Sequence, residues 1–256
     1  FEGFHGYGPE QGYAFLREAI AQHDYAARGV DIKPEEIFVS DGAKSDCGNI
    51  GDIFGTDNVV AVCDPVYPVY VDTNAMAGRA GEYQEELGRW SRLVYMPCVA
   101  ENGFTPEPPQ EKVDLIYLCF PNNPTGAIMD RNDLEKIVEI VLEKDLFVIS
   151  DEIYSELTYN GKRHVTIASF PGMKERTVLI NGFSKAYAMT GWRLGYAAAP
   201  HIILEQMLKI HQYAIMCAPT TSQYAAVSAM KNGDPDVSMM RESYNQRRRF
   251  LLHAYE

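Results

Sequence analysis

The chain has 256 residues, of which 46% are hydrophobic and 23% are charged, a balance typical of a globular protein with a full apolar core. Its 35 acidic and 23 basic residues give a net charge of −12, which argues against nucleic acids and anionic membranes as partners. Five scattered cysteines, without a CxxC pair or a Cys/His cluster, argue against a disulfide scaffold and a zinc site.

The two ends of the sequence do not look like the ends of a protein. Phe1–Gln11 lacks the basic and apolar regions of a signal peptide, and the helical pattern of Met239–Glu256 stops without a cap. No apolar run reaches the ~18 residues of a membrane span. We therefore expect a cytoplasmic protein whose parent extends beyond both ends of this sequence.

Strands and helices are predicted to alternate along the chain. Helices are predicted at Tyr13–Ala27, Arg131–Glu143 and His201–Tyr213. Strands are predicted at Ile37–Ser40, Val59–Cys63, Leu115–Phe120, Leu146–Ser150, Thr177–Ile180 and Gly195–Ala198. Several of these strands are nearly continuous apolar runs, as expected when helices cover both faces of a sheet. The pattern predicts a three-layer α/β/α sandwich with a mainly parallel sheet.

Ligands of such sheets bind beyond the carboxyl ends of the strands, so the residues that follow each strand matter most. Five strands are followed by segments with polar or aromatic side chains: Asp41–Ser45, Asp64–Pro68, Pro121–Gly126, Asp151–Tyr154 and Asn181–Lys185. We expect these segments to converge on one site.

Taken singly, three of the polar residues have ordinary structural explanations. Asp151 follows an apolar strand and could simply cap a helix, although a buried carboxylate needs a partner. Asn123 lies in NNPTG, a common turn sequence. Lys185 could be a solvated loop residue, but the small residues around it favour a tight loop.

Three further positions suit the binding of a planar, phosphorylated ligand. Gly42 and Ala43, at a strand-to-helix turn, would offer free backbone amides to a phosphate, although many such turns bind nothing. Tyr67 could present its ring to a planar group, or could be an ordinary core or surface tyrosine. Arg193 could bind phosphate in bidentate fashion, or could pack on Trp192.

Together these elements are far more specific than any one of them. NPTG, then Asp-x-x-Tyr after the next strand, then Ser-Lys with an arginine eight residues on, resembles the fold-type I pyridoxal-phosphate aminotransferases of classes I and II. The resemblance extends from Tyr7-Gly8-Pro9 to the last helix. It implies that residues 1–256 are the cofactor-binding large domain, and that the N-terminal arm and the C-terminal small domain of the family are absent.

The resemblance also implies a role for each matching position around the cofactor ring. Lys185 would form the Schiff base with pyridoxal 5′-phosphate, and Asp151 would pair with the pyridine nitrogen. Tyr154 and Asn123 would bond to the ring 3′-oxygen, and Tyr67 would stack on the ring. A protonated pyridine is the electron sink of such enzymes, and a buried anionic carboxylate keeps that proton in place.

The remaining roles concern the phosphate group. The resemblance assigns its binding to the backbone amides of Gly42, Ala43 and Lys44 and to the side chains of Ser184 and Arg193. Tyr7 matches a tyrosine that reaches across a homodimer interface to the partner's phosphate. Gly182 replaces a serine that some branches use for the same phosphate.

The two halves of the chain resemble different branches of the family. Up to about Gly126 the sequence is similar to LL-diaminopimelate aminotransferases, with GYGPEQGYAFLREAIA and DPVYPVYVDTNAMAG as examples. From about Ile128 it is similar to prokaryotic-type aspartate and aromatic aminotransferases, with ISDEIYSELTYNGKRH as an example. Both a lineage between the branches and a chimera joined near NNPTG fit this pattern.

The resemblance implies transamination between an amino acid, LL-diaminopimelate for instance, and a 2-oxo acid such as 2-oxoglutarate. The alternatives are an aspartate or aromatic aminotransferase, or another fold-type I enzyme such as a C–S lyase. A protein that binds cofactor without turnover is a further alternative. The presence of Lys185, Asp151 and Asn123 together argues against it, because binding alone needs neither a Schiff-base lysine nor an electron-sink carboxylate.

Overall fold

The computed structural model describes residues 5–255, and its strands build one large sheet and one short hairpin. The strands are β1 (Ile37–Ser40), β2 (Val60–Asp64), β3 (Tyr83–Gln84), β4 (Arg89–Trp90), β5 (Leu93–Pro97), β6 (Leu115–Cys119), β7 (Phe147–Asp151), β8 (Thr177–Gly182) and β9 (Gly195–Ala198). β3 and β4 form the hairpin, and the others form a seven-stranded sheet in the order β1-β9-β8-β7-β6-β2-β5.

The direction of β9 determines which loops meet at the edge of the sheet. In the sheet, the adjacent strands β8, β7, β6, β2 and β5 run parallel to one another. β9 is antiparallel to both of its neighbours, β1 and β8. Its first residue, Gly195, therefore pairs with Ser40 and Gly182, the last residues of β1 and β8. As a result, the loop before β9 lies at the same edge as the loops that follow the parallel strands.

Helices cover both faces of the sheet. They are α1 (Ala14–Ile20), α2 (Ala43–Asn49), α3 (Val69–Met76), α4 (Arg131–Glu143), α5 (His201–Ala214), α6 (Thr220–Asn232) and α7 (Asp234–Tyr255). Alternate residues of a strand belong to the apolar layers on opposite faces of the sheet. In β2, Val60 and Val62 pack with α2, α3 and α5, whereas Ala61 packs on the α4 side. α1 and α6 share a cluster with β1, β8 and β9. The predicted three-layer α/β/α sandwich with a mainly parallel sheet is confirmed.

Several predicted boundaries agree with the structure and others do not. β1, β9 and α4 have the predicted limits, and Asp130 caps α4 by accepting bonds from the amides of Asn132 and Asp133. In place of the predicted first helix, the structure has α1, then a wider π-helical turn (Ala21–Tyr25) and a tighter 3₁₀ turn (Ala26–Arg28). This segment ends at Gly29, whose φ is +79°.

Three strands and two helices were not predicted: β3, β4, β5, α3 and α6. β5 is an edge strand with only part of its surface buried, so its alternation is weak. α6 begins Thr-Thr-Ser and is rich in residues of modest helix propensity. α7 starts five residues before the predicted Met239, and the predicted end at Glu256 lies outside the described residues. Within residues 5–255, no helix is both long and apolar enough to cross a membrane.

Candidate active site

The ends of β1, β6, β7 and β8 surround a cavity of about 260 Å³ on the face covered by α2 and α3. Ten of the predicted site residues line it: Gly42, Ala43, Lys44, Tyr67, Asn123, Asp151, Tyr154, Ser184, Lys185 and Arg193. They come from five separate segments of the chain, which the parallel topology brings to one edge. Tyr7 is not among the lining residues, and its side chain is 78% exposed.

Asp151, the last residue of β7, provides a buried carboxylate at the base of the cavity. It is 6% exposed and accepts three hydrogen bonds. The Tyr70 hydroxyl donates to Oδ2 over 2.6 Å, the Cys47 thiol donates to the same oxygen over 3.4 Å, and the Ile153 amide donates to Oδ1 over 3.0 Å.

Burial raises the pKa of Asp151, and the three hydrogen bonds oppose that rise. No cationic side chain in residues 5–255 forms an ion pair with this carboxylate. A buried carboxylate without a counter-ion is costly, so the cavity offers a strong site for a positively charged ring nitrogen.

Lys185, Tyr154 and Asn123 line the cavity beside Asp151. The Lys185 Nζ lies 5.9 Å from the centroid of the Tyr154 ring. The Asn123 amide nitrogen donates to the Tyr154 hydroxyl over 3.4 Å. Burial is the main cause that raises the pKa of Tyr154, which therefore keeps its proton at neutral pH. The cavity thus combines a primary amine, a phenol and an amide within reach of a small planar ligand.

The opposite end of the cavity has a positive charge next to a glycine turn. Gly42 has a φ of +135°, and a Cβ at this position would lie 2.9 Å from Nη2 of Arg193. Arg193 itself has a φ of +51° and donates from Nη1 to the Thr190 carbonyl over 3.1 Å. The Gly42 amide donates to Ser40 Oγ over 3.2 Å, so it already has an acceptor within the protein.

Gly182 is tightly confined by the neighbouring strand. A Cβ at Gly182 would lie 2.9 Å from the Gly195 Cα and 3.0 Å from the Leu194 carbonyl oxygen. A serine at this position would not fit without a backbone shift. Glycine at 182 is therefore part of how β8 and β9 pack in this protein.

Sequence reasoning missed two residues that contact Asp151. Cys47 is one of five scattered cysteines and Tyr70 is one of 16 tyrosines, and no motif singles out either residue. The signal available for Tyr70 is its position: it lies one helical turn after Tyr67, at the start of α3 beside the cavity.

A family model places the chain within a known group. The model for aminotransferase class I and II matches residues 1–255. The chain belongs to the class I and II aminotransferases. This membership confirms the resemblance drawn from NPTG, Asp-x-x-Tyr and Ser-Lys.

Three individual relatives are all named as aminotransferases, but their names give different substrates. The LL-diaminopimelate aminotransferase of Lachnospira eligens is 54% identical over 199 residues, which are 78% of this chain and 49% of the relative. The solved aromatic aminotransferase of Pyrococcus horikoshii is 35% identical with a TM-score of 0.84, over 96% of this chain and 65% of that one. An aspartate aminotransferase double mutant of Thermus thermophilus is 31% identical with a TM-score of 0.86, over 97% and 64%. The chain spans about half the length of the curated relatives it matches.

Proposed function

We propose that this chain forms the pyridoxal 5′-phosphate site of an enzyme that transfers an amino group from an amino acid to a 2-oxo acid. One observation carries the proposal: the buried carboxylate of Asp151, which forms no ion pair within residues 5–255, and the amine of Lys185 line the same cavity. Membership of the class I and II aminotransferases supports it.

The residues of the cavity fit this cofactor at three points. Asp151 supplies a buried anion for a pyridinium nitrogen. Arg193 and the turn at Gly42 supply a cation and a close backbone approach for a phosphate. Tyr67, with Lys44 Nζ 5.8 Å from its ring centroid, supplies an aromatic surface for a planar ring. When bound, the cofactor supplies an electron sink for the Cα carbanion of the substrate.

Each residue then performs one physical task. Asp151, whose three hydrogen bonds favour its charged form, would hold the proton on the ring nitrogen. Lys185 would bind the cofactor covalently through Nζ and, once the substrate amine has displaced it, its free amine would take up the proton from the substrate Cα. Tyr154 and Asn123, which are hydrogen-bonded to each other, would bind the ring 3′-oxygen.

Phosphate binding is proposed for the remaining residues of the cavity. Arg193 forms charge-assisted hydrogen bonds to the phosphate, and Ser184 adds a hydroxyl donor. Ala43 and Lys44 add backbone amides. Gly42 contributes chiefly the space that the Arg193 guanidinium occupies, since its own amide donates to Ser40.

We propose LL-diaminopimelate and 2-oxoglutarate as the substrate pair. The names of the curated relatives, at 48% to 54% identity, support this choice. Aspartate or an aromatic amino acid is the second candidate, since the solved structures similar to this chain include an aromatic and an aspartate aminotransferase. β-C–S lysis is a third possibility that shares the same cofactor site.

The whole protein is proposed to be a cytoplasmic homodimer in which Tyr7 reaches the partner's phosphate. The high exposure of Tyr7, and the fact that it does not line the cavity of its own chain, support this arrangement. Residues 1–256 would form the large domain, and the family's small domain would complete the substrate pocket and bind the α-carboxylate.

Borohydride reduction tests the covalent site directly. Reduction should link pyridoxal 5′-phosphate permanently to Lys185, so the peptide that contains Lys185 should gain the mass of the reduced cofactor. The same peptide from Lys185→Ala should gain no such mass. Turnover of LL-diaminopimelate, aspartate and phenylalanine by the intact protein then tests the substrate. Release of pyruvate and ammonia would indicate a lyase, and aspartate turnover without diaminopimelate turnover would contradict the preferred substrate.

A further inference from the structure

Two hydrogen bonds to one carboxylate oxygen give Cys47 a part in the proposed cofactor site. Tyr70 on α3 and Cys47 on α2 both donate to Asp151 Oδ2, over 2.6 and 3.4 Å. Cys47 is 1% exposed and lines the cavity. Building on the proposed function, we propose that Cys47 is a positioning residue, whose thiol favours the charged form of Asp151 and holds its carboxylate in place for the ring nitrogen of the cofactor.

The thiol can act only as a donor in this position. Burial raises the pKa of Cys47 well above its usual value, and the charge of Asp151 raises it further, so the sulfur keeps its proton at neutral pH. The same two causes raise the pKa of Tyr70. Two protonated groups therefore oppose the effect of burial, which favours the neutral form of Asp151.

The other ionisable groups around Asp151 do not replace these donors. The groups that act on it or are acted on by it are Asp46 on α2, Cys119 on β6, and Glu152 and Tyr154 after β7. Asp46 and Glu152 are acids, and like charge raises the pKa of a carboxyl group instead of lowering it. The hydrogen bonds from Cys47, Tyr70 and the Ile153 amide are the contacts that favour the charged form.

Cys63 provides a matched control for the loss of a buried thiol. Cys63 is also 1% exposed, but it lies in the apolar layer on the α4 side of the sheet, whereas Cys47 lies in the layer on the other side. Cys63 does not line the cavity. Cys63→Ala and Cys47→Ala each remove a buried thiol, so both are expected to lower stability through lost packing, and Cys63→Ala also removes a hydrogen bond with the Cys98 thiol. Only Cys47→Ala removes a donor to Asp151.

The first measurement is the free energy of unfolding of the cofactor-free protein between pH 4 and pH 8. A carboxyl group with a raised folded-state pKa stabilises the fold below its unfolded pKa, and this stability is lost as the pH rises through the folded value. Because Cys47→Ala raises the pKa of Asp151 further, its stability deficit relative to the parent should widen with increasing pH. The deficit of Cys63→Ala should stay constant.

The second measurement is the affinity of the intact protein for pyridoxal 5′-phosphate and the pH dependence of the bound cofactor's absorbance. Cys47→Ala is expected to weaken binding roughly 3- to 10-fold, the usual net effect of one hydrogen bond. Its absorbance transition should shift relative to the parent. Cys47→Ser should restore part of both effects, and Tyr70→Phe should shift both in the same direction and by more.

The outcomes separate this inference from the proposed function. If the parent binds pyridoxal 5′-phosphate and Cys47→Ala matches Cys63→Ala in the pH profile and in affinity, the role of Cys47 is wrong and the cofactor site stands. If the parent forms no borohydride-trapped adduct, the proposed function itself fails. If Cys47→Ala does not fold, equal values for Cys47→Ser, Tyr70→Phe and the parent would overturn the inference.

Discussion

The Cα of Gly42 would lie 2.7 Å from a Cβ on Gly195. The turn before α2 and the first residue of β9 are therefore in direct backbone contact. Gly195 in turn confines Gly182, whose Cβ would lie 2.9 Å from the Gly195 Cα. The antiparallel strand β9 thus packs directly against the turn of the cavity that is proposed to bind phosphate, and this close contact is possible because position 195 has no side chain.

Gly195→Ala should displace the turn at Gly42. The added methyl group would overlap backbone atoms of Gly42 and Ala43, which cannot move aside as a flexible side chain can. We expect a loss of about 1–3 kcal/mol in the free energy of unfolding, the usual cost of overpacking. Affinity for pyridoxal 5′-phosphate should fall as well, as measured by fluorescence or absorbance titration.

Gly191→Ala is the control for this substitution. Gly191 lies in the same loop as Arg193, but a Cβ there would meet no atom within 4 Å. The variant should retain the stability and cofactor affinity of the parent. Equal behaviour of the two alanine variants would show that the contact between β9 and the turn has no part in cofactor binding.

A second prediction concerns the pH dependence of stability. Asp46, in the first turn of α2, is 3% exposed and accepts a hydrogen bond of 2.6 Å from Ser40. Burial raises its pKa from 3.8 to about 8. This group stabilises the fold at pH values below 3.8, and the contribution is lost as the pH rises toward 8.

Asp46→Asn should remove that loss, since the amide keeps the shape and still accepts from Ser40 but cannot ionise. The free energy of unfolding of the parent should fall between pH 4 and pH 8 relative to that of the variant, by an amount on the order of a few kcal/mol. Urea denaturation across this range measures the difference. Asp52→Asn, an exposed acid in the next turn, is the control, and a parallel profile for Asp46→Asn would contradict the raised pKa.

Much of the site could be predicted because the chain supplies it at strand ends. Asn123 and Lys185 follow β6 and β8, and Asp151 ends β7, so a parallel sheet was enough to bring them together. Arg193 needed the resemblance to a family, because it precedes its strand and reaches the site only through the antiparallel direction of β9.

What could not be predicted depends on packing between elements distant in sequence. Cys47 and Tyr70 meet Asp151 across sequence separations of 104 and 81 residues, and neither belongs to a local motif. The edge strand β5 was missed for a related reason: its few buried positions leave little periodic signal. Contacts that arise from tertiary packing alone leave no pattern in a single sequence.

A third prediction separates the proposed roles of Asp151 and Lys185. Asp151→Ala should still retain the cofactor on Lys185 but should lose the group that keeps the ring nitrogen protonated. We expect transamination to slow by about 10³-fold, which corresponds to ~4 kcal/mol of barrier. Single-turnover absorbance changes after mixing with amino acid measure this step.

The contrast with Lys185→Ala provides the check. That variant cannot hold the cofactor covalently, so borohydride should trap an adduct in Asp151→Ala and none in Lys185→Ala. Transamination by Lys185→Ala at the parent's rate would rule out the proposed role of this lysine.

The last prediction tests whether Tyr7 acts in the partner subunit. Tyr7 is 78% exposed and does not line the cavity of its own chain, so a phosphate contact requires a second copy. In a homodimer of the intact protein, Tyr7→Phe damages the partner's site, whereas Lys185→Ala inactivates its own. A mixed dimer of the two variants would therefore contain one native site and one site with both changes.

After random reassortment of equal amounts, about a quarter of all sites should be native, since half of the dimers are mixed and each has one native site. Activity that rises on mixing, together with a dimer in sedimentation, is the expected result. A fully active monomer, or parent-like cofactor affinity in Tyr7→Phe alone, would show that Tyr7 has no such role.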